Sequence, residues 1–130
     1  MKNNKIIKYS GKWFLAGLLE RFQRDDENTL NPNRRCFVWE NLYLIEAKDI
    51  SAAYDKAVRL GRKECRNISP SKDNAGHKGR WIFDGISELI PIYEDIQDEA
   101  ELLWTEHKNI SVKHAKRMSR TKKEWIRLRK

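Results

Sequence analysis

Five carboxylates crowd into one short stretch: Glu94, Asp95, Asp98, Glu99 and Glu101. Oxygen donors at this density can hold a hard cation, steer a basic partner, or stay solvated as a turn. A calcium loop also needs a glycine at its bend, and this run has none, so no metal site is expected. A docking face and a plain acidic turn both remain open. Glu20, Glu40, Asp84 and Glu88 fall inside apolar runs, where a charge must be solvated or paired. Two of them meeting in a cleft could exchange protons with a substrate. If they face outward, they need no such role. His77, His107 and His114 are scattered, and none is followed by a metal-ligating residue three or four positions later. The chain has no nucleophile elbow, phosphate loop or dinucleotide fingerprint. The stretch AGHKG, at 75–79, is too generic to be read as a phosphate site. No cofactor is expected, and neither is enzymatic activity.

The C-terminal tail is the sharpest chemical feature. Residues 108–130 hold ten Lys or Arg against one Glu. Lys116, Arg117, Arg120 and Arg127 fall near helical spacing, with Trp125 among them. Such a helix can grip phosphates while Trp125 stacks on a base. It can equally dock into an acidic pocket of a partner protein, or fold back on its own chain. Self-pairing would be cheap in loop entropy, because residues 84–106 hold eight carboxylates and no Lys or Arg and directly precede the tail. Exposed ion pairs are individually weak, so docking would also need Trp125, Ile126 or Leu128 to bury area. Trp39 and Trp104 are further candidates for anchoring an interface, since aromatic residues dominate hot spots.

The elements that must position these groups fit one domain. A chain of 130 residues, 39% hydrophobic with five Trp, can bury a core without staples. The net charge of +8 is unevenly distributed: residues 1–12 carry +4, the tail +9, and the body between them −5. A basic pI that belongs to the ends does not by itself imply nucleic acid. Cys36 and Cys65 have no CxxC spacing and read as small apolar residues in a reducing compartment. The N-terminus imitates a signal peptide, but its apolar run is short and lacks a cleavage site. No run approaches the roughly 20 apolar residues needed to span a bilayer. The expected location is cytoplasmic, with no membrane partner and a monomer or small homo-oligomer.

Residues 1–11 read as a loose lead-in. Lys12 to Arg24 reads as a strand with Phe14, Ala16, Leu18, Glu20 and Phe22 on one face, both faces turning polar toward its end. Asp25 to Arg35 is a surface loop. Cys36 to Lys48 is a second strand, with Val38, Leu42 and Leu44 on one face and Phe37, Trp39, Tyr43 and Ile45 on the other. Asp49 or Ser51 caps a helix from Ser51 to Arg66, whose inner face carries Ala53, Ala57, Leu60 and Gly61. Asn67 to Gly79 reads as a long loop. Arg80 to Ile90 is a third strand, with Trp81, Phe83 and Gly85 opposite Ile82, Asp84, Ile86 and Glu88. Ala100 to Glu106 reads as a short fourth strand. From Ser111 onward a single basic helix is expected. The predicted class is α+β: an antiparallel sheet of about four strands in β-β-α-β-β order over residues 12–106, a helix on one face, and a basic helix over 107–130.

This order resembles a widespread bacterial family catalogued as a domain of unknown function. The resemblance rests on WFLAGLLERF, on WENLYLIEAKD followed by SAAYDKAVRLG, and above all on RWIFDGISELIPIYEDIQDEAELLW. It spans Trp13 to Thr105 and implies a compact α+β fold and a bacterial or phage source. It implies no activity and no catalytic residues, and the tail lies beyond it. The expected function is binding of another macromolecule, with an immunity-type inhibitor of a toxin or defence enzyme as the specific form. Nucleic-acid binding through the tail is the alternative.

Overall fold

The computed structural model describes residues 13–129. The expected lead-in at 1–11 lies outside the described residues. The elements are β1 Trp13–Arg24, β2 Phe37–Glu46, α1 Ile50–Ile68, β3 Ser71–Lys72, β4 Lys78–Pro91, α2 Val112–Arg117 and α3 Lys122–Leu128. The strands form one antiparallel sheet in the order β2-β1-β4-β3. The class is α+β, with α1 packed on one face.

β1 takes the central place because it is apolar on both faces. Its even-numbered face is buried, as the alternation predicts: Phe14, Ala16, Leu18, Glu20 and Phe22 are all at most 4% exposed. The expected drift to polarity along this face does not occur. Burial runs to Phe22 and takes Glu20 with it. The core joins Phe14, Ala16 and Leu18 to Ile45 of β2 and to Ala53 and Ala57 of α1, with Leu60, Phe83, Ile86 and Leu89 packed around it.

α1 starts where its cap chemistry says. Asp49 sits in extended backbone, and its carboxylate accepts from the Ala52 N–H at 2.8 Å. The buried residues Ala53, Ala57, Gly61 and Cys65 recur every four positions, so a stripe of small side chains faces the sheet. At Gly61 the helix lies tight against the sheet. A Cβ there would lie 2.3 Å from the Phe83 ring.

The sequence and the structure part at three places. The first is β4, where plain alternation puts Ile86 on the face away from the helix. Asp84 and Ser87 are extra residues, and the register against β1 shifts at both. Ile86 therefore returns to the core face opposite Leu18. Gly85, beside the first shift, has φ 128°, a conformation that L side chains rarely adopt.

The second is the fourth strand, which is not Ala100–Glu106. Among the described residues that segment pairs with no strand. Strand propensity stabilises little without pairing, and the connector before it bends through a turn in which Ala100 N–H donates to Gln97 O at 3.1 Å. The fourth strand is β3, inside the stretch expected to be a loop, and it pairs Ser71 with Gly79 and Lys72 with Lys78.

The third is the basic helix, which is two helices. Ser111 caps α2, accepting from His114 N–H at 3.0 Å. Thr121 then opens α3 with a capping box closed by Glu124. Cys36, expected to be apolar filling, is exposed, while Cys65 is buried. Among the described residues no helix is long and apolar enough to cross a membrane.

Gly61→Val is expected to destabilise the fold by about 1–3 kcal/mol, because the added methyls must push Phe83 aside. Urea unfolding checks this, and an unchanged midpoint would show that the helix can lift away without cost.

Candidate functional site

α1 does not reach the far end of the sheet. Beyond its last turn the β2-β1-β4 register aligns Phe37, Phe22 and Trp81 in one cross-strand row. Trp39 lies one pair further in, opposite Glu20. The Trp39 and Trp81 rings sit 4.8 Å apart at 40°, and Phe37 meets them edge-on at 5.8 and 6.0 Å. Phe22 supports Trp81 from below at 5.4 Å. The result is a tray of aromatic faces, with Trp39 48% and Phe37 49% exposed.

This tray floors a cleft of about 490 Å³, walled by Ile68 at the end of α1 and by the β3–β4 turn. The turn is fixed by Asp73. Its carboxylate accepts from the Ala75 and His77 N–H groups at 2.9 Å and meets His77 Nδ1 at 3.0 Å. Partial burial disfavours the ionised carboxyl, but these hydrogen bonds outweigh it and hold Asp73 below its usual pKa. Lys72 lines the same cleft and is exposed.

On its other flank Trp81 borders a second groove, lined by Arg62, Arg66 and Arg80. All three guanidiniums are exposed, and none pairs with a carboxylate of another described residue. Ser69 closes the groove's floor, its hydroxyl accepting from Trp81 N–H at 2.8 Å. Cys65 also lines it. Burial, followed by the charges of Glu20, Asp84 and Glu64, pushes its thiol up to about 11, so it is un-ionised and unreactive at neutral pH.

The strand carboxylates do not converge. Glu40 and Glu88 lie on exposed positions of the sheet. Asp84 accepts from Arg21 Nε at 2.7 Å and Nη2 at 3.1 Å. Glu20 alone is buried, beneath α1. Burial chiefly, and the charge of Glu64 in addition, raise its pKa against the opposing hydrogen bond from Asn41. Its Oε1 has no hydrogen-bond partner among the described residues.

The remaining expected residues are spread out. Glu94, Asp95, Asp98 and Glu99 are exposed in the turn after β4, with Glu101 half-buried. Trp104 is 56% exposed, well along the connector. Lys116 and Arg117 are in α2, Arg120 falls in the break between the helices, and Trp125 and Arg127 are in α3. Arg120 and Arg129 place their guanidiniums 5.6 and 5.8 Å from the Trp125 ring. Neither helix buries a residue. Described residues join tail and connector through Lys108 and Glu106, two exposed neighbours 3.7 Å apart. Among the described residues no three His, Cys, Asp or Glu gather as a metal site would require.

Trp39 is thus an expected anchor that the fold places in a concave site. Its companions Phe37, Trp81, Arg62, Arg66 and Arg80 were not singled out from the sequence. A Phe-x-Trp pair on one strand face and an Arg pair four apart were the available signals.

Glu20 generates a pH prediction. The unfolded chain ionises this carboxyl near its ordinary 4.5, and the fold holds the proton to higher pH. Stability is therefore lost as pH rises through that interval. Glu20→Gln is expected to stabilise by about 1 kcal/mol at pH 7, the gain vanishing below the ordinary value. Thermal melts at neutral and acidic pH check this, and an equal gain at both would exclude ionisation as the cause.

Residues 13–104 match the family profile described as a domain of unknown function, DUF4288. Neither a curated protein nor a solved structure matches the chain. The profile covers both helix-facing and outward-facing residues of the whole sheet and ends before the basic tail. By that match the chain belongs to the DUF4288 family.

Proposed function

We propose that the protein is a non-catalytic binding module that holds another protein along β2. The observation that carries this reading is the state of the sheet's two edges. β2 is an outer strand whose register with β1 runs without a break from Trp13↔Glu46 to Phe22↔Phe37. It contains no Lys, Arg or Pro. Val38, Leu42 and Leu44 are 45–55% exposed on the face away from α1. Such an edge invites a further strand or an apolar surface, and unguarded edges are a liability unless something uses them.

The opposite edge is guarded. β3 pairs the start of β4, Ser69 caps Trp81, and the two bulges at Asp84 and Ser87 break the line of free groups. This asymmetry supports a dedicated surface on β2. The specific form of the reading is an immunity-type inhibitor that covers the active surface of a toxin or defence enzyme. The exposed acidic turn after β4 would then set the rate and selectivity of encounter, while apolar burial on β2 supplies affinity.

The test is co-purification from the source cell, followed by mass spectrometry and an activity assay of the retained protein. One stoichiometric partner is expected, inhibited when bound. Leu42→Lys with Leu44→Lys is expected to weaken its retention by tenfold or more. A partner that ignores these substitutions, or no partner at all, would remove the reading.

A second reading, nucleic-acid binding through α2 and α3, is favoured by their lack of buried residues and by the cations against Trp125. It requires affinity for duplex DNA that falls steeply with salt and is lost when Lys116, Arg117, Arg120 and Arg127 are replaced by Ala. Flat salt dependence would sink it.

A further inference from the structure

We propose that the aromatic tray and the arginine groove form one site for a nucleoside phosphate, with the base on Trp39 and Trp81 and the phosphate on Arg62, Arg66 and Arg80. The inference is independent of docking on β2, because the cleft opens on the helix-bearing side and the docking residues Val38, Leu42 and Leu44 are on the other.

Three observations carry it. First, Trp39 and Trp81, tilted 40° with centroids 4.8 Å apart, and Phe37, edge-on to both, floor a half-enclosed cleft of about 490 Å³. That volume is in the range of small-ligand sites. A flat π-surface is the shape such a tray fits, and stacking accepts any base.

Second, the anion site is adjacent. Trp81 borders both the aromatic cleft and the arginine groove, so a ligand on its ring reaches guanidiniums without leaving the protein surface. Arg62 and Arg66, four residues apart on α1, stand on one side of the groove, and Arg80 on the strand side. Planar guanidiniums bind phosphate oxygens bidentately, and with no carboxylate partner among the described residues their charge is available.

Third, the polar groups at the cleft suit a base carrying an anion. Ser71 and Asn74 can meet the hydrogen-bonding edge of a base, and Lys72 adds positive charge. The one carboxylate there, Asp73, is already engaged by two backbone N–H groups and His77. It therefore repels an incoming phosphate less than a free carboxylate would.

The chemistry is shared by a free nucleotide and by a single-stranded nucleic acid, and the experiment separates them. The full-length protein is titrated with ADP, adenosine and a short oligothymidylate, following tryptophan fluorescence. Saturable quenching by ADP, with adenosine about tenfold weaker, assigns the site to free nucleotides. Quenching by the oligothymidylate alone assigns it to a strand. In either case Arg62→Ala with Arg66→Ala should weaken binding about tenfold or more. Both positions are exposed on the helix, so folding is not at stake. Trp39→Ala should do the same. No saturable signal with any probe overturns the proposal. So does binding indifferent to the Arg62 and Arg66 substitutions, or binding that disappears with the tail charges alone.

Discussion

The contact on which the molecule rests is the close approach of α1 to β1 and β4. Ala53, Ala57 and Gly61 give the helix a face with almost no side-chain height, and it settles on Phe14, Ala16, Leu18 and the Phe83 ring. Dispersion and burial are both strongest where two backbones can come this near. The cost is reach. A helix laid tightly on the middle of the sheet leaves the Phe22 end uncovered, and the large rings of Phe37, Trp39 and Trp81 fill that end instead. Small residues at the centre and large ones at the margin are two halves of one packing solution.

The same geometry divides the labour between faces. The helix side carries the core, the buried Glu20 and the aromatic cleft. The far side carries the exposed aliphatics of β2 and the Arg21–Asp84 pair. Glu20 is the odd member. Its carboxyl sits in apolar surroundings with one oxygen unpartnered, which stores a modest instability in the centre of an otherwise well-packed layer.

Much of this was legible in the residues. The two-residue period of β1 and β2 and the Ala stripe and Asp49 cap of α1 are local signals, and local physics decides them. The α+β class followed from their order. What was not legible depends on pairs of distant segments. No property of Ser71 and Lys72 marks them as a strand until Lys78 and Gly79 arrive beside them. The seven residues from Ala100 have the propensity but no ladder among the described residues. The aromatic tray exists only through the β2-β1-β4 register, which a single strand cannot announce, so Trp39 could be suspected but Trp81 and the arginines could not be joined to it. One failure was avoidable. The Thr121-x-x-Glu124 box marks a new helix start in plain sight, and it splits the tail.

The two surplus residues of β4 have a bearing on chain length. Inward-facing positions along this strand are Trp81, Phe83, Ile86 and Leu89, because Asp84 and Ser87 each add a residue without advancing the ladder. Dropping either one would restore plain alternation at that bulge and leave the side chains beyond it facing as before. A deletion elsewhere in the strand would turn its remainder inside out. Of the two, Ser87 is the cheaper to lose, since Asp84 would take the Arg21 partner with it while the Ser87 hydroxyl is buried with nothing to bond. Deletions that keep the facing of β4 are thus directed by geometry to its two bulges, and most readily to one.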